Sequence, residues 1–187
     1  MKTSLPFSLL LASTLLFVSC DRCHTPIYPP WEYHNTAPRY VDIKPEHRIP
    51  NRPPGLCCWV SLATLGYHHH IKELYRIDEE EKGTLAYASN VREALNKRKV
   101  KFKQQDDNPR WFGGCNDDII KEAIKRNLGC VCGVREGALG ASAHAIIVVD
   151  YNDKTVEYID PNTCTVWVAS RAWWDINWYG FAVFVEP

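Results

Sequence analysis

The chain reads as an α+β protein in which one cysteine-bearing helix packs on an antiparallel β-sheet that carries a histidine and an aspartate. Three stretches predict this. Residues 51–66, Asn-Arg-Pro-Pro-Gly-Leu-Cys-Cys-Trp-Val-Ser-Leu-Ala-Thr-Leu-Gly, run from a Pro-Pro-Gly turn into an apolar segment without proline. Leu62, Leu65 and their neighbours recur there at helical spacing. Residues 140–150, Gly-Ala-Ser-Ala-His-Ala-Ile-Ile-Val-Val-Asp, form a run rich in β-branched residues, the pattern of a buried strand. Thr155 to Ile159 alternates and closes on Asp160-Pro161, so it reads as the return strand of a hairpin whose turn is Tyr151-Asn-Asp-Lys.

The chemistry follows from these three places. A cysteine at a helix N-terminus lies at the positive end of the helix dipole, which favours thiolate over thiol. The bland alternative is a pair of buried structural or disulfide-bonded cysteines at 57 and 58. If the two strands pair through their turn, His144 at the start of one lies beside Asp160 at the end of the other. A base next to a carboxylate, both facing a helix-tip thiol, is what nucleophilic catalysis requires. A single strand-end histidine is weak evidence; cysteine, histidine and aspartate in this order are much more specific.

On these residues the sequence resembles the papain-like cysteine peptidase superfamily, in particular its small bacterial branch, which includes the double-glycine leader peptidases of bacteriocin exporters. The resemblance covers roughly residues 48–187. It implies a papain-like fold, an oxyanion-stabilising amide shortly before the cysteine helix, a histidine opening one strand, and an Asp or Asn, often followed by proline, that orients it. The matching pieces are Asn51, Cys57 or Cys58, His144 and Asp160-Pro161. One departure is that the amide is usually Gln, whereas Asn51 is one methylene shorter. Consecutive helical residues point about 100° apart, so at most one cysteine faces His144. Cys58 shares a face with Leu62 and Leu65, a core stripe, and Cys57 shares one with the more polar Ser61 and Thr64. Asn51 also stands six residues before Cys57, the spacing the family implies. Against this, Cys58-Trp59 imitates the Cys-Trp pair of papain. Cys57 is favoured, with Cys58 the alternative nucleophile.

The elements in order complete the reading. Met1 to Cys20 has Lys2 followed by an apolar run from Leu9 to Val18, an export signal too short and too close to the N-terminus for a permanent transmembrane helix. It ends Phe-Val-Ser-Cys20, similar to a lipoprotein box, so Cys20 is expected to carry a lipid that anchors a soluble domain without spanning the membrane. Plain secretion is the alternative; either way the chain is exported. Residues 21–47 read as an extended tether, rich in Pro and aromatics, with Tyr40-Val-Asp-Ile a short strand and His24, His34 and His47 single surface residues. The domain is expected over 48–187. After the cysteine helix, His68-His69-His70 invites a metal reading, but neighbours on a helix diverge and no further ligand follows at a suitable spacing, so no metal site is expected. Glu73 to Lys82 reads as a charged surface segment. Ser89 caps a helix, Val100 to Lys103 is a strand, and Gln104 to Gly114 is a loop with Trp111-Phe112 as cleft rim or core lid. Asp117 or Asp118 caps a helix to Asn127 with Ile119, Ile120, Ala123 and Ile124 inward. Gly129 to Val134 is a strand, and Arg135 to Ser142 a Gly/Ala loop where substrate backbone approaches closely. Thr165 to Val168, Trp173-Trp174 and Phe181 to Val185 supply sheet and an aromatic layer.

Charge is balanced, 22 basic against 22 acidic residues in 187, which argues against nucleic acid as a partner. Eight cysteines in an exported chain suggest disulfides among Cys23, Cys58, Cys115, Cys130, Cys132 and Cys164. Cys130 and Cys132, two apart on a strand, point to one face and should not bond each other. No cofactor is expected. The mechanism implied is acyl transfer from a peptide or protein substrate: Cys57 thiolate attacks, Asn51 and a backbone N–H hold the oxyanion, His144 protonates the leaving amine, and Asp160 orients His144, with Asn162 the alternative orienter. A cell-wall amidase or acyltransferase of the same Cys-His type is one rival. The other is a non-catalytic binding module, which a disulfide through Cys57 or Cys58 would favour.

Overall fold

A computed structural model describes residues 41–52, 55–106, 115–136 and 142–187. Helix α1 (Cys57–His69) enters from the turn at Gly55. Two short pieces follow, a 3₁₀ turn (Lys72–Leu74) and α2 (Ile77–Glu80), and then α3 (Ala88–Lys97). The sheet comprises β1 (Lys101–Asp106), β2 (Cys130–Glu136), β3 (Ser142–Tyr151), β4 (Thr155–Asp160), β5 (Thr165–Ser170) and β6 (Trp178–Glu186). Helix α4 (Asp118–Lys125) precedes β2, and α5 (Arg171–Asn177) precedes β6. All six strands pair antiparallel in the order β1-β6-β2-β3-β4-β5. The molecule is therefore α+β, the class the sequence predicts.

The reasons lie in the residues. The β3 run Ala145 to Val149 and the β6 run Phe181 to Val185 are buried throughout, as expected for strands at the centre of a covered sheet. The β3–β4 turn is held by Asn152, whose Oδ1 accepts from the N–H groups of Lys154 and Thr155, an Asx turn. Helix α1 is buried on all sides from Cys58 to Gly66. It packs chiefly on β3 and is anchored by the fully buried Trp59, Leu62 and Leu65, each such side chain contributing about 1.5–3 kcal/mol. Gly66 is required there, because a Cβ would overlap the side chain of Leu74.

Several expectations need correction. The tether expected over 21–47 does not extend to 47. Val41 and Ile43 are core residues, and the Val41 N–H donates to the Val149 carbonyl at 3.1 Å. Residues 41–44 are irregular rather than a strand, fixed by apolar burial and by hydrogen bonds at Val41 and Ile43. His47 is not a lone surface residue: its ring lies 6.2 Å from that of His68 and 6.3 Å from that of His70. Within the charged segment 73–82, Leu74 and Ile77 point into the core. Helix α3 begins at Ala88 with Tyr87 as its N-cap residue, and Ser89 bonds its neighbour Asn90 instead. Strand β1 runs on to Asp106, and Trp173-Trp174 lie on a short helix capped by Ser170, not in a strand. The inward face of α4 is as expected. The segment 1–20 with Cys20, residues 21–40 with Cys23, His24 and His34, and Trp111-Phe112 lie outside the described residues. Among the described residues, no helix is long and apolar enough to cross a membrane.

Candidate active site

Helix α1 and the β3–β4 hairpin meet at one end of the sheet, and the sequence-predicted side chains are placed there. Cys57 is the first residue of α1. His144 lies near the start of β3, and Asp160 ends β4. The pairing Ile147↔Ile159 and Val148↔Tyr158, continued by one step, sets Asp160 opposite Ile146. His144 is then its diagonal neighbour on the same face, within reach of a long side chain. Its Nε2 is 2.9 Å from Asp160 Oδ1, and both side chains are buried, at 5% and 2% exposure.

The other neighbour of the His144 ring is the Cys57 thiol, close enough for each group to shift the pKa of the other. The Cys57 sulfur also accepts the Ala145 N–H at 3.4 Å. Burial alone pushes the Cys57 pKa up, but the His144 hydrogen bond and charge, with the Ala145 and Cys58 N–H groups, bring it below its ordinary value. The last two donors follow from position: one comes from the first turn of the helix, the other from the strand facing it. For His144, burial opposes charging, yet the hydrogen bonds to Asp160 and Cys57 push its pKa up to about 10. Each group therefore favours the charged form of the other, thiolate beside imidazolium.

Cys58 is nearly inaccessible at 4% exposure, and burial first, then the nearby Cys57 charge, raises its pKa. Facing the core, it does not meet His144. The polarity of Ser61 and Thr64 has a different origin from the one the helix pattern implied. Both are buried, and Thr64 Oγ1 accepts the Ile49 N–H of the incoming chain at 3.0 Å.

Asn51 is a bridge. Its N–H donates to the Pro161 carbonyl at 2.9 Å, its Oδ1 accepts the Leu56 N–H at 3.0 Å, and its Nδ2 donates to Asn162 Oδ1 at 2.8 Å. The residue thus ties the entry of α1 to the turn after Asp160 and, among the described residues, leaves one amide hydrogen uncommitted. Asn162, the alternative orienter, also donates its N–H to Asp160 Oδ1 at 2.8 Å, and it is Asp160 whose carboxylate meets the ring. Arg48 adds a clamp that sequence reasoning missed: its guanidinium donates to the carbonyls of Ile43 and Cys164. Ala145 was likewise missed, because only the strand placement makes a backbone N–H point at sulfur.

Cys57, Cys58, Cys130, Cys132 and Cys164 are free thiols. Among the described residues no group of three or more His, Cys, Asp or Glu side chains is arranged to hold a metal.

No family model matches the chain, and no curated protein matches it. Among solved structures it is similar to a double glycine motif protease from an AMS/PCAT transporter, crystallised in complex with the leader peptide. The TM-score is 0.49 and the identity 16%, over 81% of this chain and 96% of that one.

Proposed function

We propose that the protein is a papain-like thiol hydrolase that cleaves peptide bonds through a thioester on Cys57. The observation that carries this reading is the buried His144 ring, held by Asp160 at 2.9 Å, beside the helix-tip Cys57, whose sulfur accepts the N–H of the adjacent Ala145. In the proposed cycle the Cys57 sulfur attacks the carbonyl carbon, and the electron pair of the C=O moves onto oxygen. The collapse of this intermediate expels the amine, which takes its proton from His144. His144 then removes a proton from water, which breaks the thioester and frees the acid and the thiol. Asp160 holds the tautomer and balances the imidazolium charge. The Cys57 N–H and the remaining amide hydrogen of Asn51 are assigned to the oxyanion.

A disulfide through Cys57 or Cys58 would have supported the non-catalytic alternative, and both cysteines are free. From the sequence of residues 1–20, the protein is further proposed to be exported and held at a membrane surface by a lipid on Cys20.

The test is iodoacetamide labelling of the purified protein at about pH 6, where ordinary thiols with pKa near 8.5 react slowly, followed by peptide mass mapping beside His144→Ala. Fast labelling of Cys57 that disappears in the variant is expected. Slow labelling of Cys57 in the wild type rejects the hydrolase.

A further inference from the structure

The pairing of β2 with β6 breaks next to this site. Cys132 pairs with Ala182, but Val134, only two residues on, pairs with Trp178. The additional residues of β6 bulge out, and Gly180 within them has φ 89°, a conformation suited to glycine. The phenol of Tyr179 consequently occupies the space where a side chain at Gly133 would stand; a Cβ there would overlap its hydroxyl and ring. Gly133 in turn pairs with Ala145, whose N–H contacts the Cys57 sulfur, and the next pair is Val134↔His144. The Tyr179 phenol therefore lies over β2, one strand away from the nucleophile's own hydrogen-bond donor on β3. It is half-buried, and among the described residues no hydrogen bond to its hydroxyl is found, although buried phenols usually have a partner. Burial first, then the Cys58 and Cys57 positions nearby, push its pKa up, so the phenol keeps its proton.

Substrate direction follows from the hydrolase reading, on which this step rests. The leaving amine must face His144 to take its proton. By register Ala145 and Gly133 share the face opposite to that of His144 and Val134, so an acyl side that turns away from His144 passes them. We infer that Tyr179 is a substrate-positioning residue whose hydroxyl donates a hydrogen bond to the peptide group on the acyl side of the scissile bond.

Three probes applied to the full chain and to Tyr179→Phe separate the possibilities. Iodoacetamide alkylates Cys57 without carbonyl attack. p-Nitrophenyl acetate acylates it, forming the S–C bond as p-nitrophenolate departs, but its acyl group has no amide. N-benzyloxycarbonyl-glycine p-nitrophenyl ester reacts identically and carries a carbamate on the acyl side. In Tyr179→Phe, kcat/KM for the glycine ester should fall roughly three- to tenfold, the loss of one neutral hydrogen bond. Alkylation and acetate hydrolysis should not change. An equal effect on both esters, or none on either, overturns the assignment. A wild-type Cys57 that alkylates like an ordinary thiol brings down the hydrolase reading and the role of Tyr179 with it.

Discussion

The two ends of helix α1 both gather histidine, and they treat it in opposite ways. At the N-terminal end, His144 is buried against a carboxylate and a thiol, and its pKa goes up to about 10. At the C-terminal end, His68 lies among other histidines, with His47 6.2 Å and His69 4.5 Å away, ring centre to ring centre. Burial and the mutual repulsion of His69 and His47 bring its pKa down to about 4, against a smaller opposing pull from Asp42. Burial leaves His69 below its usual value too, against the opposing pull of the Leu128 carbonyl 2.7 Å from its Nε2. Burial acts against charge at both ends. What differs is the partner: opposite charge stabilises an imidazolium, while neighbouring imidazoles discourage one. The histidine-rich end thus holds His68 neutral, and a single histidine far along the chain is the one held charged.

The largest test of this contrast is removal of the pair at the N-terminal end. Cys57→Ala should abolish hydrolysis, by roughly 10⁴-fold or more, while Cys58→Ala leaves the pH 6 labelling of Cys57 intact. Comparable activity in the two variants would break the comparison. Asp160→Asn keeps the shape but removes the opposite charge, and a loss in kcat of roughly 10³–10⁴ is expected. A loss below about tenfold would mean that the carboxylate does not sustain the imidazolium.

The pH dependence sharpens the comparison. With Cys57 below its ordinary value and His144 at about 10, alkylation should persist to lower pH than for an ordinary thiol with pKa of about 8.5, and change again near pH 10 as His144 loses its proton. The stability linkage has a definite sign. His144 is raised above its unfolded value of about 6.5, so its contribution is complete below that pH and is lost as pH climbs through about 10. Urea unfolding at several pH values should give wild type an alkaline decline that His144→Gln lacks.

The bridge is a smaller effect. Asn51→Ala removes an amide that touches both the helix entry and the Asp160 turn, and kcat should drop roughly 10²-fold. Asn162→Ala, which loosens Asn51 but leaves its amide in place, should cost tenfold or less. Equal losses would make Asn51 a tether without an oxyanion role.

Least is expected at the other end. His68→Gln should leave Cys57 labelling unchanged. Because His68 is held below its unfolded pKa, wild type loses stability as pH falls from about 6.5 through about 4, and the variant should lose less. The side chain is half-exposed, so solvent weakens the effect.

The legible part of the molecule was local. The Pro-Pro-Gly turn and leucine spacing mark α1, the β-branched run marks β3, and the alternation ending in Asp160-Pro161 marks β4. Each depends on backbone preference within a few residues. The short turn marks the hairpin, but a register shift between Val148 and Asp150, which no local pattern announces, brings Asp160 onto the face of His144. Less legible were short elements that tertiary packing decides. Trp173-Trp174 have the composition of a strand, but Ser170 caps a helix there, its Oγ accepting the Trp173 N–H at 3.2 Å. The choice between Cys57 and Cys58 was argued from a polar stripe, yet that stripe is buried under the incoming chain.

By itself, then, the sequence determined the α+β class, the order of the cysteine, histidine and aspartate, and the hairpin that joins the last two. These follow from periodicity and turn chemistry, which act over a few residues. Tertiary structure alone decided that Val41 and Ile43 belong to the core, that Asn51 bridges two distant loops, that Ala145 N–H meets the sulfur, and that Tyr179 sits over Gly133. Each is a meeting of residues tens of positions apart, and long-range packing, unlike local preference, leaves no periodic mark in the chain.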